Sequence, residues 1–407
     1  MASIAAAAGW NRLSPPVIRI LAHSLLFGLA LSIADLLFNF YLASLGYGPE
    51  IAGLMSTISR AAGMLLGVPM GLLIDRVGPQ RAIIAAMLIY CGGWVMLLQV
   101  RELWALAVAQ LIIGASFLLA STGVTPLLST VTRDAERATV FGLNASAVLM
   151  IGLVGSVAGG ILPTLAGGVL AVDAQDAAAY RLALASVVGL SIVAMLPLLG
   201  RMPAVEEERP VGSEALPDER VPIKRLLRFA SAGFLLGLGG GAILPFQNLF
   251  FRNEFGLSDA AVGIVLAVAS LGMGLGALLG PPVTRRTGLR RGAALLRLCA
   301  VGGMALMLVP ALAPAVIGFF LRGLFVAASF PMNDALVMRH TPARQRGMAM
   351  SLMSVLWSGG WAVAAILSGY VQVRWGFTPV LIFAAVSYGL SAWAILSIPI
   401  PNEQARG

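Results

Sequence analysis

Ionisable side chains are rare in the apolar stretches of this 407-residue chain, so each one found there is a candidate for chemistry. Asp35 stands in such a stretch with Asn39 four residues on, and on a helix both would share a face. A carboxylate held in an apolar slab is costly, and proton or substrate binding is its usual work. The structural alternative is an ion pair. Asp35 lies 13 residues before Gly48 and Arg60 lies 12 after it, so a hairpin turning there would bring the two to equal depth. Such a pair would oppose protonation of Asp35. Arg322 offers a guanidinium suited to a carboxylate or phosphate, with snorkelling or a carbonyl contact as its plain alternative. Gln110, Gln247, Asn248 and Asn333 add neutral hydrogen-bonding groups to the same kind of stretch. Trp357 and Trp361, one helical turn apart, could stack on a ligand or simply pack. Asp334 falls near one end of its stretch, where a gating contact is the expectation. His23 and His340 receive no role.

Other chemistries lack their residues. There is no metal-spaced His/Cys set, no His-paired nucleophile and no phosphate loop, so neither an enzyme, a cofactor nor a metal is expected. Gly272-Met-Gly274-Leu-Gly276 superficially resembles a nucleotide fingerprint, but it lies within an apolar run with no strand before it. Cys91 and Cys299, both in apolar runs, cannot make a disulfide framework.

The elements that must position these residues follow from composition. The chain is 59% hydrophobic and 11% charged, with a mean hydropathy of +0.91. Soluble domains carry about 25% charged residues, whereas helices facing lipid need the balance seen here. Crossing ~30 Å of hydrocarbon takes roughly 20 residues. Charge-free runs of that order occupy 82–100, 103–132, 138–172, 182–200, 229–251, 260–284, 298–321, 347–373 and 375–402. Three more carry one or two ionisable groups: 20–45, 51–74 and 314–338, the last two segments of the ninth and tenth helices meeting at a turn near Pro314. Twelve transmembrane helices are therefore predicted. The start, MASIAAAAGW, reads as a cytoplasmic tail and not as a signal peptide.

Alternate turns sort the basic residues. Twenty-one, Arg297 among them, fall in one set of connections, and only Arg101, Arg181, Arg252 and Arg374 fall in the other. That asymmetry predicts a multi-pass inner (plasma) membrane protein with both termini in the cytoplasm. It also accounts for the net charge of +9 without a nucleic-acid partner, leaving the lipid bilayer as the surface met. Residues 201–228, acidic first and basic last with four prolines, read as a linker between a six-helix bundle at 1–200 and another at 229–407.

The two halves repeat. A shift of 209 carries Gly63, Gly67 and Gly71 onto Gly272, Gly276 and Gly280, Gly114 onto Gly323, Gly160 onto Gly369, and Arg137 onto Arg346. A shift of 210 carries Gly46 and Gly53 onto Gly256 and Gly263. Small residues at i, i+4 let helix backbones approach closely, and the second, fifth (Gly155, Gly159) and eighth helices have such a face. Gly237, Gly239, Gly240, Gly241 and Pro245 suit a bent or interrupted seventh helix lining a cavity.

After the second helix the sequence reads Gly71-Leu-Leu-Ile-Asp75-Arg76-Val-Gly78-Pro79-Gln80-Arg81, which resembles the loop 2–3 signature of the major facilitator superfamily. The second-half copy keeps Gly288 and the basic residues but has Arg285 and Arg286 where the first has Asp75 and Arg76. Gln110 stands where the family's fourth helix has arginine, and the antiporter pattern of the fifth reads Gly155-Ser156-Val-Ala-Gly159-Gly160. The resemblance implies an all-α membrane fold of two pseudo-symmetric six-helix bundles and a carrier working by alternating access about a midplane site. The expected cargo is a small molecule, with protons as the coupling ion and the protein a monomer. Proton-coupled export is the first expectation, resting on Asp35. Uptake of an organic anion through Arg322 is the alternative, and a non-transporting receptor or scaffold of the same fold is a third. Asp334 is expected to pair with Arg285 or Arg286 as a cytoplasmic gate. Asp75 should cap the start of the eleventh helix near Gly347 or meet a loop arginine, holding one conformer. Asp75→Asn is therefore expected to cripple transport while leaving the protein folded. Wild-type rates in a well-expressed variant would overturn this.

Overall fold

The computed structural model describes residues 13–203, 223–341 and 346–398, and over these the chain forms helices joined by short turns, without a strand. The helices are α1 (Pro15–Ser44), α2 (Pro49–Val77), α3 (Pro79–Gln99), α4 (Leu103–Val131), α5 (Asp134–Leu170) and α6 (Ala177–Met195). They continue with α7, α8 (Asp259–Thr287), α9 (Leu289–Met307), α10 (Leu312–Arg339), α11 (Arg346–Trp375) and α12 (Thr378–Leu396). The seventh is one broken element: Ile223–Ile243, a 3-10 turn at Leu244–Phe246 around Pro245, then Gln247–Phe255. Among the described residues ten helices are long and apolar enough to cross a membrane, and α2 makes eleven when its two parts are taken as one span. The twelfth, α9, carries Arg290, Arg291 and Arg297. Most of the expected linker, 204–222, lies outside the described residues, and α7 has already begun at Ile223.

Local sequence explains the punctuation. Pro15, Pro49 and Pro79 each open a helix, where the missing N–H has no partner to lose. Asp176 and Ser258 cap α6 and α8 by accepting from the N–H groups of Ala178 and Ala261. Gly78 and Gly288, equivalent under the repeat, both stand between two helices with φ of 87° and 77°. An L side chain is strained there, so the repeat has conserved a backbone shape and not only a residue type.

The chain divides into two compact units. The first takes in α1 up to Leu37 and the chain from Leu65 to the end of α6; the second takes in Phe38–Met64 and the chain from α7 onward. In the first unit His23 stacks on Phe27, which meets Tyr90 edge-on, and His23 Nδ1 is 2.9 Å from the Ala194 carbonyl. The α5 glycines lie against α1. A Cβ on Gly155 would stand 2.6 Å from Ser32 Cβ, and one on Gly159 3.3 Å from the Ile33 backbone. In the second unit a Cβ on Gly272 would stand 2.7 Å from the Phe320 carbonyl of α10, and one on Gly276 would collide with the Leu324 carbonyl. The expected close faces of α5 and α8 are thus present. Gly63 and Gly67 of α2 lie outside the residues whose packing is described, and a Cβ on Gly71 would meet open space.

One placement needs correction. The ninth helix starts at Leu289 and not after Arg297, so Arg297 is no turn residue: it is 0% exposed inside the second unit. Ending a span at its first charge fails where the bundle itself supplies partners for that charge. The turn to α10 falls at Val309–Ala311, before Pro314, which puts Arg322 ten residues into its helix, about 15 Å along the axis at ~1.5 Å per residue.

The glycine contacts separate two substitutions that are two residues apart but unlike in surroundings. Gly276→Ala forces α8 from the α10 backbone and is expected to lower stability by about 1–3 kcal/mol, whereas Gly274→Ala, with nothing within 4 Å, should be neutral or slightly stabilising. Thermal unfolding of the two purified variants in detergent checks this, and equal midpoints would refute it.

Candidate functional site

The break in α7 frees backbone carbonyls inside the second unit, and polar side chains answer them. The Asn39 amide donates to the Pro245 carbonyl and, at 2.9 Å, to Asn248 Oδ1. Asn248 Oδ1 also accepts from the Leu249 N–H. Both asparagines are sealed, 6% and 1% exposed, while Gln247 is half-buried. The repeat shift of 209 carries Asn39 onto Asn248, so equivalent residues of the two halves are bonded to each other. Beyond them opens a cavity of about 250 Å³ lined by Asn39, Tyr47, Ala52, Leu249, Arg252 and Asn253. Arg252 there pairs with Asp259 at 3.5 Å and lies 4.5 Å above the Phe40 ring.

Arg60 of α2 belongs to the same unit, and it meets the two tryptophans singled out above. Its guanidinium carbon lies 4.4 Å from the Trp361 ring centroid and 5.4 Å from that of Trp357. The two rings are 5.2 Å apart and tilted by 48°. Trp361 Nε1 donates to Ser56 Oγ at 3.4 Å, and Thr57 Oγ1 donates to the Ala362 carbonyl at 2.7 Å. From the other side α7 seats the pair: a Cβ on Gly237 or Gly241 would collide with the carbonyl of Trp357 or Trp361. The α7 glycines therefore serve close packing, and Pro245 alone sits at the break. Trp361 is 7% exposed, whereas Trp357 and Arg60 are only half-buried.

The other two mid-helix arginines are enclosed. Arg322, 3% exposed, donates from Nε and Nη2 to Tyr388 Oη at 3.0 and 2.6 Å. Arg297 donates to Ser391 Oγ at 2.7 Å, to the Ser391 carbonyl at 3.3 Å and to Asn333 Oδ1 at 3.1 Å. The neighbouring Asp334 is exposed. Among the described residues no ion pair joins Asp334 to Arg285 or Arg286, and both arginines are exposed. Arg297, Ser391 and Tyr388 escaped the sequence reading. The available signal was the polar seam Ser387, Tyr388, Ser391 on an otherwise apolar α12.

In the first unit Asp35 is exposed although it lies mid-helix. The Gln110 Oε1 atom is buried with no hydrogen-bond partner among the described residues. Asp75 and Arg76, in the last turn of α2, and Arg81, in the first of α3, are all exposed around Gly78. Residues 342–345 and the side-chain surroundings of Gly347, where Asp75 was expected to act, lie outside the described residues.

This geometry can be set beside known proteins. The sequence profile of the Major Facilitator Superfamily matches residues 20–231 and 229–407. An uncharacterized MFS-type transporter of Burkholderia mallei is 25% identical over 381 residues, 89% of this chain and 86% of the relative. The niacin transporter NiaP of Acinetobacter baylyi is 26% identical over 164 residues, 39% of this chain. A Bacillus subtilis protein provisionally named for niacin and nicotinamide transport is 26% identical over 177 residues. The matches to these two span only 37% and 44% of the relatives' lengths. Among solved structures the nucleoside transporter NupG superposes with a TM-score of 0.74 at 16% identity, covering 94% of this chain and 99% of that one. A bacterial homologue of the iron transporter ferroportin does so at 0.70 and 15%, covering 94% and 98%. With twelve helices among the described residues, an internal repeat and a profile match along nearly its whole length, this multi-pass membrane protein belongs to the major facilitator superfamily.

Proposed function

We propose that this chain is a proton-coupled secondary carrier that takes up a small organic anion by alternating access, in the inner membrane with both termini in the cytoplasm. The observation that carries this is Asp35: a carboxylate exposed at mid-helix in a membrane-spanning element. Hydrocarbon does not tolerate an ionised carboxylate, so such a group faces water or a polar cavity, where it can take up and release a proton. Arg60, half-buried on the rings of Trp357 and Trp361, adds a guanidinium, the group best suited to an anion. Arg322, the anchor expected from sequence, is instead held by Tyr388. Asp35 serves proton coupling in either direction of transport. A guanidinium in the span favours an anion, and a relative named as a niacin transporter, niacin being a small organic acid, supports uptake. The basic residues gathered at one set of turns support the orientation.

The test is reconstitution. In proteoliposomes with an inward proton gradient, the wild-type protein should accumulate a labelled organic acid from a panel, and a protonophore should abolish the accumulation. Asp35→Asn should retain counterflow exchange of the same acid, at a rate within about threefold of wild type, yet accumulate none against a gradient. Accumulation indifferent to the proton gradient, or gradient-driven accumulation surviving in Asp35→Asn, would sink the proposal.

A further inference from the structure

The turns after α2 and α8 are copies of one another that differ in charge. A shift of 210 carries Asp75, Arg76, Gly78, Gln80 and Arg81 onto Arg285, Arg286, Gly288, Arg290 and Arg291. Gly78 and Gly288 keep one left-handed backbone shape. Gln80 donates to the carbonyls of Leu198 and Gly200, and Arg290 donates to the Ile398 carbonyl at 2.8 Å, so each ties its turn to its own unit. The remaining charged positions are exposed in both turns. Asp75, Arg76 and Arg81 sum to a charge of +1, whereas Arg285, Arg286 and Arg291 sum to +3, and the sequence holds no acidic residue from 260 to 333. Helix electrostatics accounts for part of this. Arg285 and Arg286, in the last turn of α8, complement the negative end of that helix. Arg291 stands in the first turn of α9, where the dipole disfavours a cation, no acidic residue offsets it and Gly288 supplies no side-chain cap. From there an apolar ridge begins. Arg291, Leu295 and Leu298 follow at i, i+4 and i+7 and are exposed, while Ala293, Ala294, Leu296 and Arg297 between them are buried. At ~1.5 Å per residue the two leucines lie about 6 and 10 Å further along the axis than Arg291.

We propose that Arg285, Arg286 and Arg291 bind the headgroup phosphate of an anionic phospholipid, with an acyl chain lying along Leu295 and Leu298. A guanidinium meets phosphate oxygens with paired, charge-assisted hydrogen bonds. Cations gathered at a membrane surface attract anionic lipid in proportion to their number. A zwitterionic lipid brings its own cation to the same three guanidiniums and loses that attraction. A soluble phosphate satisfies the arginines but leaves the leucine ridge uncovered, and the ridge is what marks a lipid as the occupant. The first-half turn is a comparison built into the same chain. There Asp75 repels a phosphate, and the ridge leading from Arg81 runs through Ala85 to Leu88, with alanine in place of the first leucine. The orientation proposed above puts the site in the cytoplasmic leaflet, but its ligand chemistry depends neither on that orientation nor on carrier function.

Native mass spectrometry of the full-length protein in detergent, titrated with phosphatidylglycerol or phosphatidylcholine, tests the site without transport. Phosphatidylglycerol should bind more tightly than phosphatidylcholine by about tenfold or more, and less so as salt is raised. Arg291→Gln should weaken phosphatidylglycerol by roughly fivefold. Arg285→Asp, which gives the second turn the charge pattern of the first, should weaken it by about 25-fold. Arg81→Gln, the matching change in the first turn, should alter it by less than about twofold. Glycerol 3-phosphate, a phosphate headgroup without tails, should fail to displace the lipid at equal concentration. Should a second-turn variant fail to fold, phenylglyoxal labelling of the wild-type protein in vesicles, read by peptide mass spectrometry, gives the same answer. Vesicles of phosphatidylglycerol should protect Arg285, Arg286 and Arg291 relative to vesicles of phosphatidylcholine, and protect Arg81 less. Equal binding of the two lipids would overturn the site, as would a preference that survives Arg285→Asp or falls equally with Arg81→Gln. Displacement by glycerol 3-phosphate at equal concentration would identify a soluble phosphate as the ligand and overturn the lipid assignment. A failure of proton-driven accumulation in proteoliposomes would leave this site standing, and an absence of lipid preference would leave the carrier proposal standing.

Discussion

Inside a bilayer, a polar group must find its partner within the protein, because the surrounding hydrocarbon supplies none. The most consequential partner in this chain is Asn39. Its amide meets the Pro245 carbonyl at the break in α7 and the side chain of Asn248 one turn on. Without such donors an interrupted helix would leave backbone carbonyls unsatisfied at membrane depth, at a cost of several kcal/mol each. With them, α7 can be broken, and the unit gains an irregular stretch beside a cavity.

The same requirement sorts the arginines. Arg297 and Arg322 donate to oxygens supplied by α10 and α12, which makes them fasteners of the helix packing. Arg285 and Arg286 are left exposed, to solvent and headgroups. Arg60 differs because its face is met by carbon. Rings orient a guanidinium while leaving its edge to do hydrogen bonding elsewhere.

Duplication and glycine set the frame for these side chains. Asn39 and Asn248 are equivalents under the shift of 209, and Gly78 and Gly288 repeat one left-handed turn. Where α8 meets α10, and where α7 meets α11, a single methyl group would strike backbone. Contacts made by backbone on backbone are intolerant of volume but need no interlocking side chains, so small residues recur there.

The legible part of this protein was whatever a bilayer imposes locally. Span lengths, the excess of basic residues at alternate turns, the glycine spacing of α5 and α8 and the repeat all follow from rules that act over about 20 residues, and each could be read from the order of residues alone. The loop 2–3 residues named the family for the same reason, since a tight turn needs its glycine in place. Partner choice was not legible. Arg297 looked like a turn residue because nothing in its neighbourhood of sequence reveals Ser391, 94 positions away. Trp357 and Trp361 looked equally free to pack or to bind, until Arg60 arrived from a helix some 300 residues earlier. Arg322 looked open until Tyr388 closed it. Sequence by itself determined that charged groups would lie within the membrane, because composition fixes which residues the spans contain. Only the tertiary structure decided which of those charges are sealed and which stay partly open, because that depends on which distant helix packs alongside.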